Sequence, residues 1–160
     1  MVPINYEIRS ATNKDIPYVK EIVFTVLKEY NLLSCEDGKD KDLNDIQKNY
    51  FDRHGAFWVL IHLPSEKIVG TFGITSNQES VCELRKMFLQ KEHRGQKLGK
   101  LMLEHALAFA RNSGYHSMQL ESISVLKEAI ELYKSYGFLA TDPLEINDRV
   151  DCAFQLDLKL

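Results

Sequence analysis

The stretch Glu92–Leu103, EHRGQKLGKLML, places two glycines and three cations directly ahead of an apolar helix. Glycine weakens a chain wherever its conformational freedom goes unused, so such a loop implies work for the backbone itself. The segment before it, Val81 to Leu89, reads as a strand, and Leu98 to Asn112 keeps helical spacing up to a Ser113-Gly114 stop. The first amides of such a helix lack internal partners and sit at the positive end of its dipole. With Arg94, Lys97 and Lys100 around them they suit an anion, a pyrophosphate above all. Taken alone, the loop is equally a glycine-shaped turn with solvated cations. The strand before it and a second strand–helix unit after it favour the anion site.

Upstream, Tyr6 to Arg9 reads as a short strand, and Thr12 with Asp15 forms a capping box opening a helix. Ile16, Val19, Ile22, Val23, Val26 and Leu27 share one face of that helix. The polar, mixed-charge segment Ser34 to Asp45 predicts a solvated connector leading into a second short helix around Leu43 to Phe51. Ala56 to Leu63 and Lys67 to Thr75 make a hairpin across PSEK, and Val81 to Leu89 adds a third strand after the polar turn SNQE. Downstream come a strand at Ser117 to Ser122, a helix at Lys127 to Tyr136 stopped by Gly137, and strands at Phe138 to Thr141 and Val150 to Leu158. The order predicts one α/β (α+β) domain over residues 1–160. Its expected form is a central mixed, mostly antiparallel sheet of about seven strands flanked by about four helices.

A chain of 160 residues suffices for one domain with its own core. The net charge of −3, from 20 basic and 23 acidic side chains, leaves no broad basic surface for nucleic acid. Cys35, Cys82 and Cys152 form no C-x-x-C pair, so reduced thiols and a cytoplasmic setting are expected. The histidines show no ligand spacing, and no metal is expected. The opening MVPINYEIRS lacks the apolar core of a signal peptide, and runs such as Ala56 to Leu63 are too short to span a bilayer.

Three strings in order, ELRKMFLQKEHRGQKLGK, then LES, then AIELYKSYGF, resemble the GNAT superfamily of N-acyltransferases. That family carries an Arg/Gln-x-x-Gly-x-Gly/Ala loop that binds acetyl-CoA, and the resemblance covers the whole chain. It implies that Arg94, Gly95, Gln96, Lys97, Leu98, Gly99 and Lys100 wrap the pyrophosphate with backbone amides. It further implies that Met87, Phe88 and Leu89 face the pantetheine arm, with Met87 and Leu89 offering main-chain groups where the cofactor strand splays from its neighbour. Two positions depart from the family pattern. Lys97 stands where its first motif glycine usually falls, and Leu126 stands where an asparagine often contacts the cofactor.

Acyl transfer to an amine needs a neutral nucleophile, a polarised thioester carbonyl and a proton for the departing thiolate. The resemblance assigns that proton to Tyr133, which is otherwise a packing aromatic on an amphipathic helix. For the base it offers Glu121 first and Glu83 second, with a water relay open and pairing to Arg85 or Lys86 as the plain structural reading of either carboxylate. The resulting expectation is an N-acetyltransferase passing the acetyl group of acetyl-CoA directly to a primary amine in a ternary complex. The acceptor is an amine-bearing small molecule or peptide, and the protein a monomer or homodimer. Glu36, Asp37, Asp40 and Asp42 suit a cationic acceptor and equally a solvated loop. The competing class is a non-catalytic acyl-CoA sensor on the same fold. A nucleotide-binding protein would carry a P-loop G-K-[S/T] or a Rossmann acidic residue, and neither is present.

Overall fold

The computed structural model describes residues 2–76 and 78–159. Its strands are β1 (Tyr6–Ser10), β2 (Ala56–His62), β3 (Lys67–Thr75), β4 (Val81–Leu89), β5 (Ser117–Ser122), β6 (Leu139–Thr141) and β7 (Cys152–Asp157). They form a 7-stranded sheet ordered β1-β2-β3-β4-β5-β7-β6. Every neighbouring pair is antiparallel except β4 and β5, which run parallel. This is the mixed, mostly antiparallel sheet expected from the sequence. Asn77, in the polar turn before β4, lies outside the described residues.

Side chains alternate across β2, so that Trp58 and Leu60 enter one core while Phe57 and Val59 enter the other. Helices α3 (Leu98–Asn112) and α4 (Lys127–Ser135) cover the Trp58 face, and α1 (Ile16–Glu29) and the short α2 (Ile46–Asn49) cover the Phe57 face. The capping box precedes α1 as a 3-10 turn. The Lys14 amide donates to Thr12 Oγ1 at 3.2 Å and the Thr12 amide to Asp15 Oδ2 at 2.9 Å.

Two expectations change in the same region. The second helix is broken into a 3-10 turn (Lys41–Asn44), α2 and another 3-10 turn (Phe51–Arg53). Asp45 interrupts it in an extended conformation, capping the Lys48 amide at 3.0 Å. The Ser34 to Asp45 segment is exposed over most of its length, as a solvated connector would be, but Asp40 and Leu43 within it are fully buried. Smaller differences lie at element ends. The last strand starts at Cys152 because Asn147 and Val150 close a separate bridge just before it.

Strand β4 carries the irregularity on which the site depends. Thr71 pairs with Phe88 and Gly73 with Arg85, so Lys86 and Met87 together oppose the single residue Phe72. Lys86 takes φ 53°, a left-handed conformation. The fully buried Thr71 hydroxyl donates to the Lys86 carbonyl at 2.8 Å, closing the bulge from within the sheet. On its other side β4 pairs with β5 only from Val81 to Glu83, after which the strands part. Replacing Thr71 by valine keeps the shape but removes the donor. The Thr71→Val protein is expected to lose about 1–3 kcal/mol in urea denaturation. An unchanged midpoint would show that the hydroxyl contributes nothing to the bulge.

Candidate active site

The separation of β4 from β5 leaves an edge of β4 without a strand partner. The Gln90 amide bonds the Val69 carbonyl at 2.8 Å, so by the two-residue period of a strand Met87 and Leu89 turn their main-chain groups the opposite way, into the gap. The Leu89 carbonyl is taken there by Arg94 Nε at 2.9 Å. Among the described residues no bond in the turns and loops and no β5 pairing engages the Met87 amide and carbonyl or the Leu89 amide, which suit a ligand lying along the strand.

Two cavities flank the gap. One, of about 230 Å³, runs between the end of α1, β4, the loop before α3, and α4. The other, of about 640 Å³, lies between β4, β5, the segment around Gly38 to Asn49, and Arg149. Both are lined by Met87, Phe88, Leu126, Ala129 and Tyr133. They therefore meet beside the divergence.

The loop before α3 opens on the smaller cavity. Gly95 has φ 84° and Lys97 φ 63°, which turn the backbone twice and aim successive amides outward. From Gly95 to Lys100 no amide meets an acceptor among the described residues. Lys97 thus adopts the left-handed conformation that the glycine usual at this position takes without strain, at a cost of about 1–2 kcal/mol. Gly99 faces the same cavity, where an added Cβ would lie 3.6 Å from Leu132 and 4.0 Å from Met87.

Arg94 departs from the expected placement. Its amide already bonds the Lys91 carbonyl at 3.2 Å, so the unpaired run begins one residue later. Its guanidinium grips both Glu29 oxygens, at 2.9 and 3.2 Å, and fastens the loop to the end of α1. Gln96 Nε2 reaches the Tyr6 hydroxyl at 3.2 Å and ties the loop to β1 as well. Lys97 and Lys100 are exposed and form no ion pair among the described residues.

Tyr133, on α4, is only 6% exposed at the junction of the cavities. Burial, with a smaller contribution from Cys152, raises its phenol well above the ordinary value, which keeps it protonated. No hydrogen bond among the described residues engages its hydroxyl. Glu83 and Glu121 both line the larger cavity. Glu83 Oε2 accepts from Arg85 at 2.9 Å, whereas Glu121 makes no ion pair among the described residues.

The Ser34 to Asp45 segment closes the larger cavity through charges that sequence order gives no means of pairing. Asp40 accepts from Arg149 through both oxygens at 3.0 Å, although the residues lie 109 positions apart. It also accepts the Cys35 amide at 2.8 Å and faces Lys86 Nζ at 3.4 Å. Lys86 reaches Asp42 at 3.1 Å, and the buried Tyr50 hydroxyl donates to the same Asp42 carboxylate. Asp40 and Asp42 are thus spent on internal cations rather than offered to a cationic acceptor. Thr71, the bulge at Lys86 and the pairing of Asp40 with Arg149 were missed from the sequence, because each matters through a partner far along the chain.

A model of the acetyltransferase (GNAT) family matches residues 22–138. The uncharacterized N-acetyltransferase YjgM of Escherichia coli K12 is 31% identical over 163 residues, covering 98% of this chain and 96% of that protein. Among solved structures, an acetyltransferase of the GNAT family from Staphylococcus aureus Mu50 superposes with a TM-score of 0.89 at 24% identity, covering 96% of this chain and 99% of that one. The YncA protein of Salmonella typhimurium, solved with its cofactor acetyl-CoA, superposes with a TM-score of 0.75 at 19% identity, covering 97% and 95% respectively.

The Asp40 cluster makes the wall of the larger cavity sensitive to acid. Burial alone would raise the Asp40 carboxyl, but hydrogen bonds from Arg149 and the Cys35 amide, with the Lys86 charge, hold it below the usual range. A carboxylate with a depressed folded pKa stabilises above its unfolded value near pH 4, and the contribution fades as pH falls through the folded pKa. Asp40→Asn is therefore expected to lose about 3–5 kcal/mol at pH 7. The gap to the parent protein should narrow below about pH 4. Urea midpoints of the two proteins, measured across pH, check both statements.

Proposed function

The chain belongs to the acetyltransferase (GNAT) family and is an acyltransferase, and from that premise we propose that it transfers the acetyl group of acetyl-CoA to a primary amine by direct attack in a ternary complex. The observation carrying this reading is the meeting of two cavities at the divergence of β4 and β5, with Tyr133 at the junction. A donor and an acceptor can enter from opposite sides and touch there, so no covalent enzyme intermediate is required. Support for acetyl-CoA as the donor comes from the run of unpaired amides at Gly95 to Lys100, which suits a diphosphate, and from the open groups of Met87 and Leu89, which suit the amides of pantetheine.

In this reading the strand amides at the gap polarise the thioester carbonyl. The amine nitrogen of the acceptor attacks the carbonyl carbon, the carbon–sulfur bond breaks, and Tyr133 gives its proton to the departing thiolate. Glu121 takes the proton lost by the amine, directly or through water. Glu83 lines the same cavity but holds Arg85, which leaves Glu121 the better placed of the two. The acceptor enters through the larger cavity. We further assign the described chain to one catalytic domain.

Acetyl-CoA is expected to raise the Tm in a thermal-shift titration, as any ligand selective for the folded state does. Tyr133→Phe should keep that shift while kcat with an amine acceptor falls about a hundredfold or more. A variant that retained full turnover would remove Tyr133 from the chemistry. A parent protein that bound acetyl-CoA without acetylating any amine would instead be the sensor.

A further inference from the structure

Among the described residues, the guanidinium of Arg85 in the larger cavity has most of its fork left open. Arg9, Arg94 and Arg149 each bind both oxygens of a carboxylate: Asp15, Glu29 and Asp40 respectively. Arg85 gives one N–H to Glu83 at 2.9 Å and makes no other hydrogen bond among the described residues. Its side chain is 29% exposed, and it lines the cavity together with Glu83 and Glu121. A guanidinium has five donors in a rigid plane that matches a carboxylate. Glu83, and at longer range Asp42, temper the charge of Arg85 without occupying its remaining donors.

The charges around it point the same way. Seven Lys and Arg side chains line the cavity against four Asp and Glu. This local excess of cations belongs to a chain whose net charge is −3. Asp40, buried behind the wall, offsets one of them. Lys39, Lys41 and Lys48 at the rim form no ion pair among the described residues. Arg85 lies two positions before Met87 on β4, across the bulge at Lys86, and lines the same cavity. One small molecule can therefore present an amine at the gap and an acid to Arg85.

We infer that Arg85 is an acceptor-binding residue that receives a carboxylate, so that the acceptor is an amine bearing an acid group, an amino acid or a close relative. Glu83 is then a positioning residue that presents the open side of the fork. This rests on the acetyltransferase reading above and narrows its substrate class. Rim lysines steer the anion inward, and Arg85 fixes its orientation with the amine toward Glu121 and Tyr133.

The test is a panel of L-amino acids, each compared with its own carboxamide and its decarboxylated amine, in acetyl-CoA consumption assays with the full chain. The carboxylate forms are expected to show kcat/KM at least tenfold above the carboxamides, mainly through KM. Arg85→Gln should reduce that ratio by about tenfold to a hundredfold. Arg85→Lys, which keeps the charge but not the fork, should restore part of it. Should the glutamine variant fold poorly, product inhibition of the parent protein gives the same discrimination: N-acetyl amino acids should inhibit more strongly than their amides. Equal or better turnover of carboxamides or simple amines overturns the anchor, as does an Arg85→Gln protein that keeps the preference. If no member of the panel is acetylated while acetyl-CoA still raises the Tm, the anchor falls and coenzyme binding stands. If acetyl-CoA gives no shift, the acetyltransferase reading falls with it.

Discussion

A parallel strand pair that stops after three residues is the constraint from which the rest of the molecule follows. Unpaired main-chain groups inside a protein are costly, so β4 can leave β5 only if its other contacts hold it in place. They do so from two directions. Thr71 bonds the Lys86 carbonyl from within the sheet, and Asp40 and Asp42 grip the Lys86 ammonium from the segment above. The same left-handed residue is therefore bound through its main chain and its side chain to opposite sides of the bulge. What remains is a short length of strand edge at Met87 and Leu89, rigidly presented and lacking a strand partner, which is the form of site that an amide-bearing ligand fits.

The divergence also gives the role proposed for Tyr133 its physical setting. A buried phenol has its acidity suppressed, which makes it a poor base and a persistent proton source. Placed at an ordinary core position it would only pack. The gap brings two cavities to it, and in the proposed reaction that is where donor and acceptor meet. Glu121 lines one of those cavities without an ion pair, while Glu83 is engaged by Arg85. The two carboxylates share one sheet face but differ in partners, and partners decide which of them is free to accept a proton.

Much of the fold was legible because it is encoded locally. The bounds of α3 follow from the loop before it and the Ser113-Gly114 stop, and β5 coincides with the six residues read as a short buried strand. The loop proposed as the anion site was legible for the same reason, since a glycine-rich loop and a helix start are neighbours in sequence. The departures came where a distant partner overrides local pattern. Ser34 to Asp45 has the composition of a solvated connector, yet Arg149 and Lys86 draw Asp40 to full burial. Leu43 to Phe51 carries a helical pattern, but the Asp45 cap breaks it into short turns. Lys97 stands where glycine is usual and nevertheless takes the left-handed conformation, because the loop is tied on both sides, by Arg94 to Glu29 and by Gln96 to Tyr6.

The pairing of charges, rather than their number, sets what each side of the gap can receive. Read as a string, the 34 to 45 segment is acidic and suggests a cationic guest. Folded, its Asp40 and Asp42 face Lys86 and Arg149, while Lys39 and Lys41 stand at the rim. A pair with both partners satisfied contributes little field at a distance, so the unpaired cations and the open fork of Arg85 dominate the potential inside the cavity. On the other side of β4 the loop cations and helix amides likewise face a single cavity. Both cavities thus carry an excess of cations, which Glu121 interrupts in the larger one. In the proposed reaction an amine held there by a distant acid group meets a setting that already disfavours a second cation, and the neutral amine is the state the attack requires.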